Sequence, residues 1–95
     1  MLKIQQYIPN NMKKVIRYTA AWCGPCKMFG PVFDNTMQVT GTSFTKVDVD
    51  SNRELAFEYN VSSVPTIIFE KDGQVVKRHT GVMSQSQLTS LLGSL

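Results

Sequence analysis

Apolar and polar residues alternate between two periods along this chain. Lys14-Val15-Ile16-Arg17-Tyr18-Thr19 is rich in β-branched and aromatic residues and predicts a strand. Ala20 to Pro25 reads as a loop, and Cys26 to about Val39 as a helix whose apolar positions are Met28, Phe29, Val32, Phe33 and Met37. Pro31 lies inside that helix and is expected to kink it, since it lacks a backbone donor. Phe44 to Val49 predicts a second strand, and Ser51 to Tyr59 a short helix with Ser51 as N-cap and Glu54 closing a capping box. Thr66 to Glu70 is an apolar strand, Lys71-Asp72-Gly73-Gln74 a turn and Val75 to Thr80 a further strand, which together make a hairpin. Ser84, with Gln87 three residues on, caps a last helix in which Leu88, Leu91, Leu92 and Leu95 recur at helical spacing and should pack on the sheet. At the front, Leu2 to Gln6 could form a short strand, and Tyr7 to Met12 a turn. Strands alternating with helices imply parallel pairing, to which the terminal hairpin adds an antiparallel part.

At 95 residues, of which 42% are hydrophobic, the chain is expected to be a single domain spanning 1–95. The formal net charge of +3 is spread over two loose clusters, Lys13, Lys14, Arg17 and Lys71, Lys77, Arg78. Neither is the dense basic stripe with interleaved aromatics that nucleic-acid binding calls for. No apolar run approaches the roughly 18 to 20 residues of a membrane span. The first residues carry no apolar signal region, so a cytoplasmic location is expected.

The chemistry lies in two cysteines, Cys23 and Cys26, both in one C-x-x-C. A disulfide-stabilised scaffold would spread more cysteines along the chain. A structural zinc site needs four ligands, and His79 is the one other plausible soft ligand, so no metal is expected. Redox use remains. The motif follows a predicted strand and opens a predicted helix, where unpaired N–H groups and the positive end of the helix dipole favour a thiolate. The second cysteine is within reach of the first and can resolve a mixed disulfide. Pro25 suits a first helical turn, and Gly24 leaves the approach to Cys23 uncluttered.

Trp22-Cys23-Gly24-Pro25-Cys26-Lys27 resembles the active site of the thioredoxin family. Pro31, the run Lys46-Val47-Asp48-Val49-Asp50, Val64-Pro65-Thr66, Gly73 and Gly81 resemble that family's helix proline, central strand, cis-proline loop, hairpin turn and groove glycine, in the right order over residues 14–95. The resemblance implies an α/β thioredoxin fold: a central mixed sheet of four to five strands flanked by about three helices. It implies Cys23 as nucleophile and Cys26 as resolving thiol of a redox-active disulfide. It further implies a cis bond before Pro65, and a substrate groove of Trp22, Gly24, Pro25, Val64, Pro65, Gly81 and Val82. The implied activity is reduction of protein disulfides by a monomer that needs no cofactor. A thioredoxin reductase would regenerate it, and targets would include enzymes such as ribonucleotide reductase. Gly-Pro between the cysteines resembles the reducing members rather than the oxidising isomerases.

Two departures stand out. Where the familiar thioredoxins bury an aspartate behind the cysteines, this chain has Arg17. Arginine cannot serve as a base. If buried it needs a partner, for which Asp48 is the obvious candidate; otherwise its head reaches water along the sheet. Arg17, Lys46 and Asp48 are therefore candidates for tuning the thiols, with water or Lys46 handling the proton. The second departure is that only 21 residues precede Trp22, so the first helix is expected to be missing or reduced to one turn. His79 reads as structural or surface. Two other functions stay open: a glutathione-coupled, glutaredoxin-like enzyme, suggested by the short front, and a non-enzymatic partner-binding module. The absence of a Pro-Tyr dipeptide between the cysteines argues against the first.

Overall fold

The computed structural model describes residues 13–95. The strand expected at 2–6, the turn at 7–12 and the reduced first helix lie outside the described residues. The elements are β1 (Lys13–Thr19), α1 (Gly24–Thr40), β2 (Phe44–Asp48), α2 (Arg53–Glu58), β3 (Thr66–Lys71), β4 (Gln74–Thr80) and α3 (Gln85–Ser94). The strands form one mixed sheet in the order β2-β1-β3-β4. Pairing is parallel between β1 and β2, and antiparallel between β1 and β3 and between β3 and β4. The expected mixed sheet with three helices is thus observed, but more of it is antiparallel than strand–helix alternation implied. The chain leaving β2 through α2 crosses over β1 to reach β3, so β2 lies at an edge of the described sheet rather than at its centre.

β1 is covered on both faces, so each of its two alternating sets of side chains meets a different layer. Val15, with Ile67 and Phe69 of β3, packs on Phe29, Phe33 and Met37 of α1 and on Leu88 and Leu92 of α3. Ile16 and Tyr18, with Val47 and Ile68, pack on Ala56 of α2 and on Tyr59 beyond it. The last helix begins as its sequence requires: Ser84 Oγ accepts from Gln87 N–H while the Gln87 side chain accepts from Ser84 N–H, a complete capping box. Its free C-terminal carbonyls are met by two lysines, Lys13 Nζ donating to Leu92 O and Lys71 Nζ to Leu95 O.

Three expectations are corrected. The active-site helix starts at Gly24, not Cys26, and includes Pro31. The box expected at Ser51 and Glu54 does not form. Asp48 Oδ1 accepts from the N–H groups of Asp50 and Ser51, and the turn it folds delays the helix to Arg53, with Asn52 as its uncapped N-cap. Met28 and Val32 do not join the core; Met28 is 79% exposed.

Candidate active site

Cys23 is the N-cap of α1, and Cys26 N–H donates to its Sγ at 3.1 Å. The sulfur thus occupies the place an N-cap oxygen normally takes, facing donors that the helix leaves unpaired. The two cysteines form a disulfide, and both are buried, packed with Ala20 and fringed by Val49 and Val64. Pro25 occupies the first helical turn and, like Gly24, is exposed.

The peptide bond Val64–Pro65 is cis, as the resemblance implied. Cys23 Sγ lies 3.7 Å from Val64 O. Pro65 is itself buried, and its carbonyl accepts from Gly81 N–H at 2.8 Å. Gly81 has φ +103°, a conformation that L side chains rarely adopt, so glycine is required where β4 turns back toward the cysteines. His79 Nε2 donates to Val82 O at 3.2 Å, which fits the structural reading of this residue. Trp22 is 69% exposed, and its indole N–H donates to Asp50 Oδ2 at 2.9 Å. Val64 thus fringes the disulfide, Pro65 and Gly81 are joined by a backbone hydrogen bond, and Gly24, Pro25 and Val82 line one cleft.

That cleft includes residues the sequence reading did not place there. Beside Gly24, Pro25 and Val82, an almost wholly apolar cleft is lined by Met28, Val32 and Met83. The signal for Met28 and Val32 was present in their helical spacing, but that spacing could not tell a buried face from an exposed apolar one. Asp50 carries no independent signal; its partner is 28 residues away.

Arg17 is buried, on the β1 face that meets α1. Its partner is not Asp48 but Asp34, on α1: Arg17 Nη2 donates to Asp34 Oδ1 at 3.4 Å. The guanidinium also lies 5.1 Å from the centre of the Phe33 ring. Asp48 is already engaged by the backbone of Asp50 and Ser51. Lys46 is the register partner of Arg17 on β2. Arg17, Lys46, Asp48 and Cys26 line one cleft of about 370 Å³ together with Lys27 and Asp34. Among the described residues, no group of three or more His, Cys, Asp or Glu stands together to hold a metal, and no helix is long and apolar enough to cross a membrane.

A disulfide at a helix N-terminus, in contact with a cis-proline loop on a mixed sheet, defines the class of dithiol–disulfide oxidoreductases. Comparison makes the class specific. The family model described as thioredoxin matches residues 3–94. A thioredoxin of Mycoplasmoides gallisepticum is 38% identical over 91 residues, covering 95% of this chain and 91% of its own. A mitochondrial thioredoxin of Bos taurus is 40% identical over 83 residues, 85% of this chain and 50% of its own. Among solved structures, a mutant thioredoxin from Halobacterium salinarum superposes with a TM-score of 0.83 at 32% identity, covering 99% of this chain and 83% of its own. The chain belongs to the thioredoxin family and is a thiol–disulfide oxidoreductase. Its partners are accordingly of two kinds, proteins that carry disulfides and a reductase.

Proposed function

We propose that this protein reduces disulfides in other proteins, with Cys23 as the attacking thiol and Cys26 as the resolving thiol. The observation that carries the assignment is the position of Cys23 Sγ, at the helix N-terminus and within 3.1 Å of Cys26 N–H. That environment favours the thiolate of Cys23 over its thiol. Cys23 attacks one sulfur of a target disulfide; the Cys23–target bond forms, the target's own S–S bond breaks, and its other sulfur leaves as a thiolate that takes up a proton. Cys26 then loses its proton and attacks Cys23 Sγ. The Cys23–Cys26 disulfide forms, and the second target sulfur leaves. The target gains two electrons and the cysteine pair loses two, which a reductase returns.

Trp22, Gly24, Pro25, Val64, Pro65, Gly81 and Val82 form the docking surface in this reading. Extended backbone of the target would lie against Val64, and its apolar side chains against the cleft that reaches Met28. The whole chain acts as one monomeric unit that needs no cofactor, working in a reducing compartment such as the cytoplasm. A thioredoxin reductase is the regenerating partner, and enzymes that accumulate a disulfide during turnover, ribonucleotide reductase among them, are the targets. The thioredoxin-type groove and the exposed apolar surface beside it favour this reading over a glutathione-coupled enzyme.

Turnover of insulin disulfides in the presence of dithiothreitol tests it. The wild-type chain accelerates the reduction, Cys23→Ser abolishes the acceleration, and Cys26→Ser traps target proteins covalently on Cys23. Equal rates for the wild type and Cys23→Ser would point instead to a non-enzymatic binding module. Regeneration by glutathione alone would move the assignment to a glutaredoxin-like enzyme.

A further inference from the structure

We propose that Arg17 is a positioning residue for the resolving step: a buried cation under α1, in the cleft that Cys26 also lines, that stabilises the Cys26 thiolate. The proposal rests on the assignment of Cys26 as the resolving thiol.

The placement follows from helix geometry. Cys26, Gly30 and Asp34 are spaced four residues apart and form one row on α1. Arg17 lies under that row. A Cβ built on Gly30 would stand 3.8 Å from Arg17 Nη1, and Arg17 Nη2 reaches Asp34. Cys26 is one turn before Gly30, on the order of 6 Å along the axis.

The charge on Arg17 is poorly compensated. Its residue is 3% exposed, yet the carboxylate that meets it belongs to a side chain that is 57% exposed, at 3.4 Å. Nε is buried and has no hydrogen-bond partner among the described residues. A cation held out of water and only partly paired favours an added negative charge nearby. The cleft offers one reacting group that can acquire such a charge, Cys26. The other charged groups facing it are Lys27 and Asp34 from α1 and Lys46 and Asp48 from β2, so cations outnumber anions once Arg17 is counted. Arg17 cannot accept the Cys26 proton. It lowers the cost of the anion, and the proton leaves to water or to the departing target thiolate.

The test isolates the single thiol. In a Cys23→Ser background, Cys26 is the sole cysteine, and its thiolate absorbance near 240 nm gives its pKa without reference to turnover. Arg17→Met should raise that pKa by about one unit, Arg17→Lys should recover at least half of the shift, and Asp34→Asn should lower the pKa. In the dithiol protein, Arg17→Met should slow resolution of a mixed disulfide about threefold below the pKa, since tenfold less thiolate is partly offset by its greater nucleophilicity. The pH profile of that step should move up by the same unit. An unchanged Cys26 pKa in Arg17→Met overturns the proposal, and so does a lysine variant that behaves like methionine. If Arg17→Met does not fold, Asp34→Asn decides alone: an unchanged or raised pKa overturns the proposal. A wild-type chain inactive on insulin would remove the proposed function while leaving these single-thiol shifts intact.

Discussion

Trp22 and Asp50 are joined by a hydrogen bond from indole Nε1 to carboxylate Oδ2, 2.9 Å long, between the loop before α1 and the turn after β2. A large exposed ring beside the reactive disulfide is thereby held in one orientation. Removing the carboxylate in Asp50→Ala frees the ring to rotate. Because the bond is solvent-exposed, the loss of stability should be modest, about 0.5–1.5 kcal/mol. The larger effect is expected on target docking: a several-fold rise in KM for a protein disulfide with little change in kcat. Trp22 fluorescence anisotropy should fall in the same variant.

Gly81 carries φ +103° and donates its N–H to Pro65 O. A β-branched residue cannot hold that conformation without strain, so Gly81→Val should cost about 1–3 kcal/mol of stability. The open space around the glycine means that this cost comes from the backbone rather than from a clash. Urea denaturation measures it. The same variant should dock targets poorly, since the loop that carries Val82 is displaced.

Tyr59 Oη donates to Glu70 Oε2 at 2.6 Å, and this bond, helped by burial and by the carboxylate's charge, pushes the phenol up to about 12 from its usual 10. Tyr18, in ring contact with Tyr59, is raised as well, chiefly by burial. A group whose folded pKa is raised stabilises the fold fully below its unfolded value and loses that contribution as pH rises through the folded value. Stability should therefore be level near pH 9 and fall between about 10 and 12. Tyr59→Phe should flatten that fall and lower stability at pH 8, because buried Glu70 loses a hydrogen-bond donor. Denaturation midpoints across pH 8–12, with phenolate absorbance near 295 nm, check both statements.

Ser84 and Gln87 exchange hydrogen bonds at the start of α3. Ser84→Ala removes one half of the box and should cost about 1 kcal/mol. Leu88 and Leu92, which α3 delivers to the core on the α1 side of the sheet, would lose anchorage, and amide exchange should quicken in α3 before it does in β1.

The contrast between two candidate capping boxes shows where local sequence is sufficient. Ser84-x-x-Gln87 forms because nothing competes for its donors. Ser51-x-x-Glu54 has the same pattern and fails, because Asp48 takes the N–H groups of Asp50 and Ser51 first. Arg17 shows a second kind of limit. Alternation along β1 places it on the face of Val15 and Thr19. Which element covers that face, and hence whether Asp34 or Asp48 meets the guanidinium, depends on how α1 packs. Met28 shows a third: helical spacing marks it as apolar, but the sheet is covered by the opposite side of α1, and Met28 is left to line the groove.

Local sequence is enough to specify most elements of the described region, the last helix with its cap, the hairpin at Asp72-Gly73 and the redox pair at Cys23 and Cys26. Each depends on residues close together in the chain, where backbone geometry and side-chain period act directly. The antiparallel pairing of β1 with β3 and the tie between Trp22 and Asp50 arise only in the folded chain. So do the contact of Val64 with the disulfide, the tie between Gly81 and Pro65, and the burial of Arg17 beneath the row that begins at Cys26. These are contacts between distant segments, set by which faces of the sheet and helices exclude water together, and no local pattern encodes them.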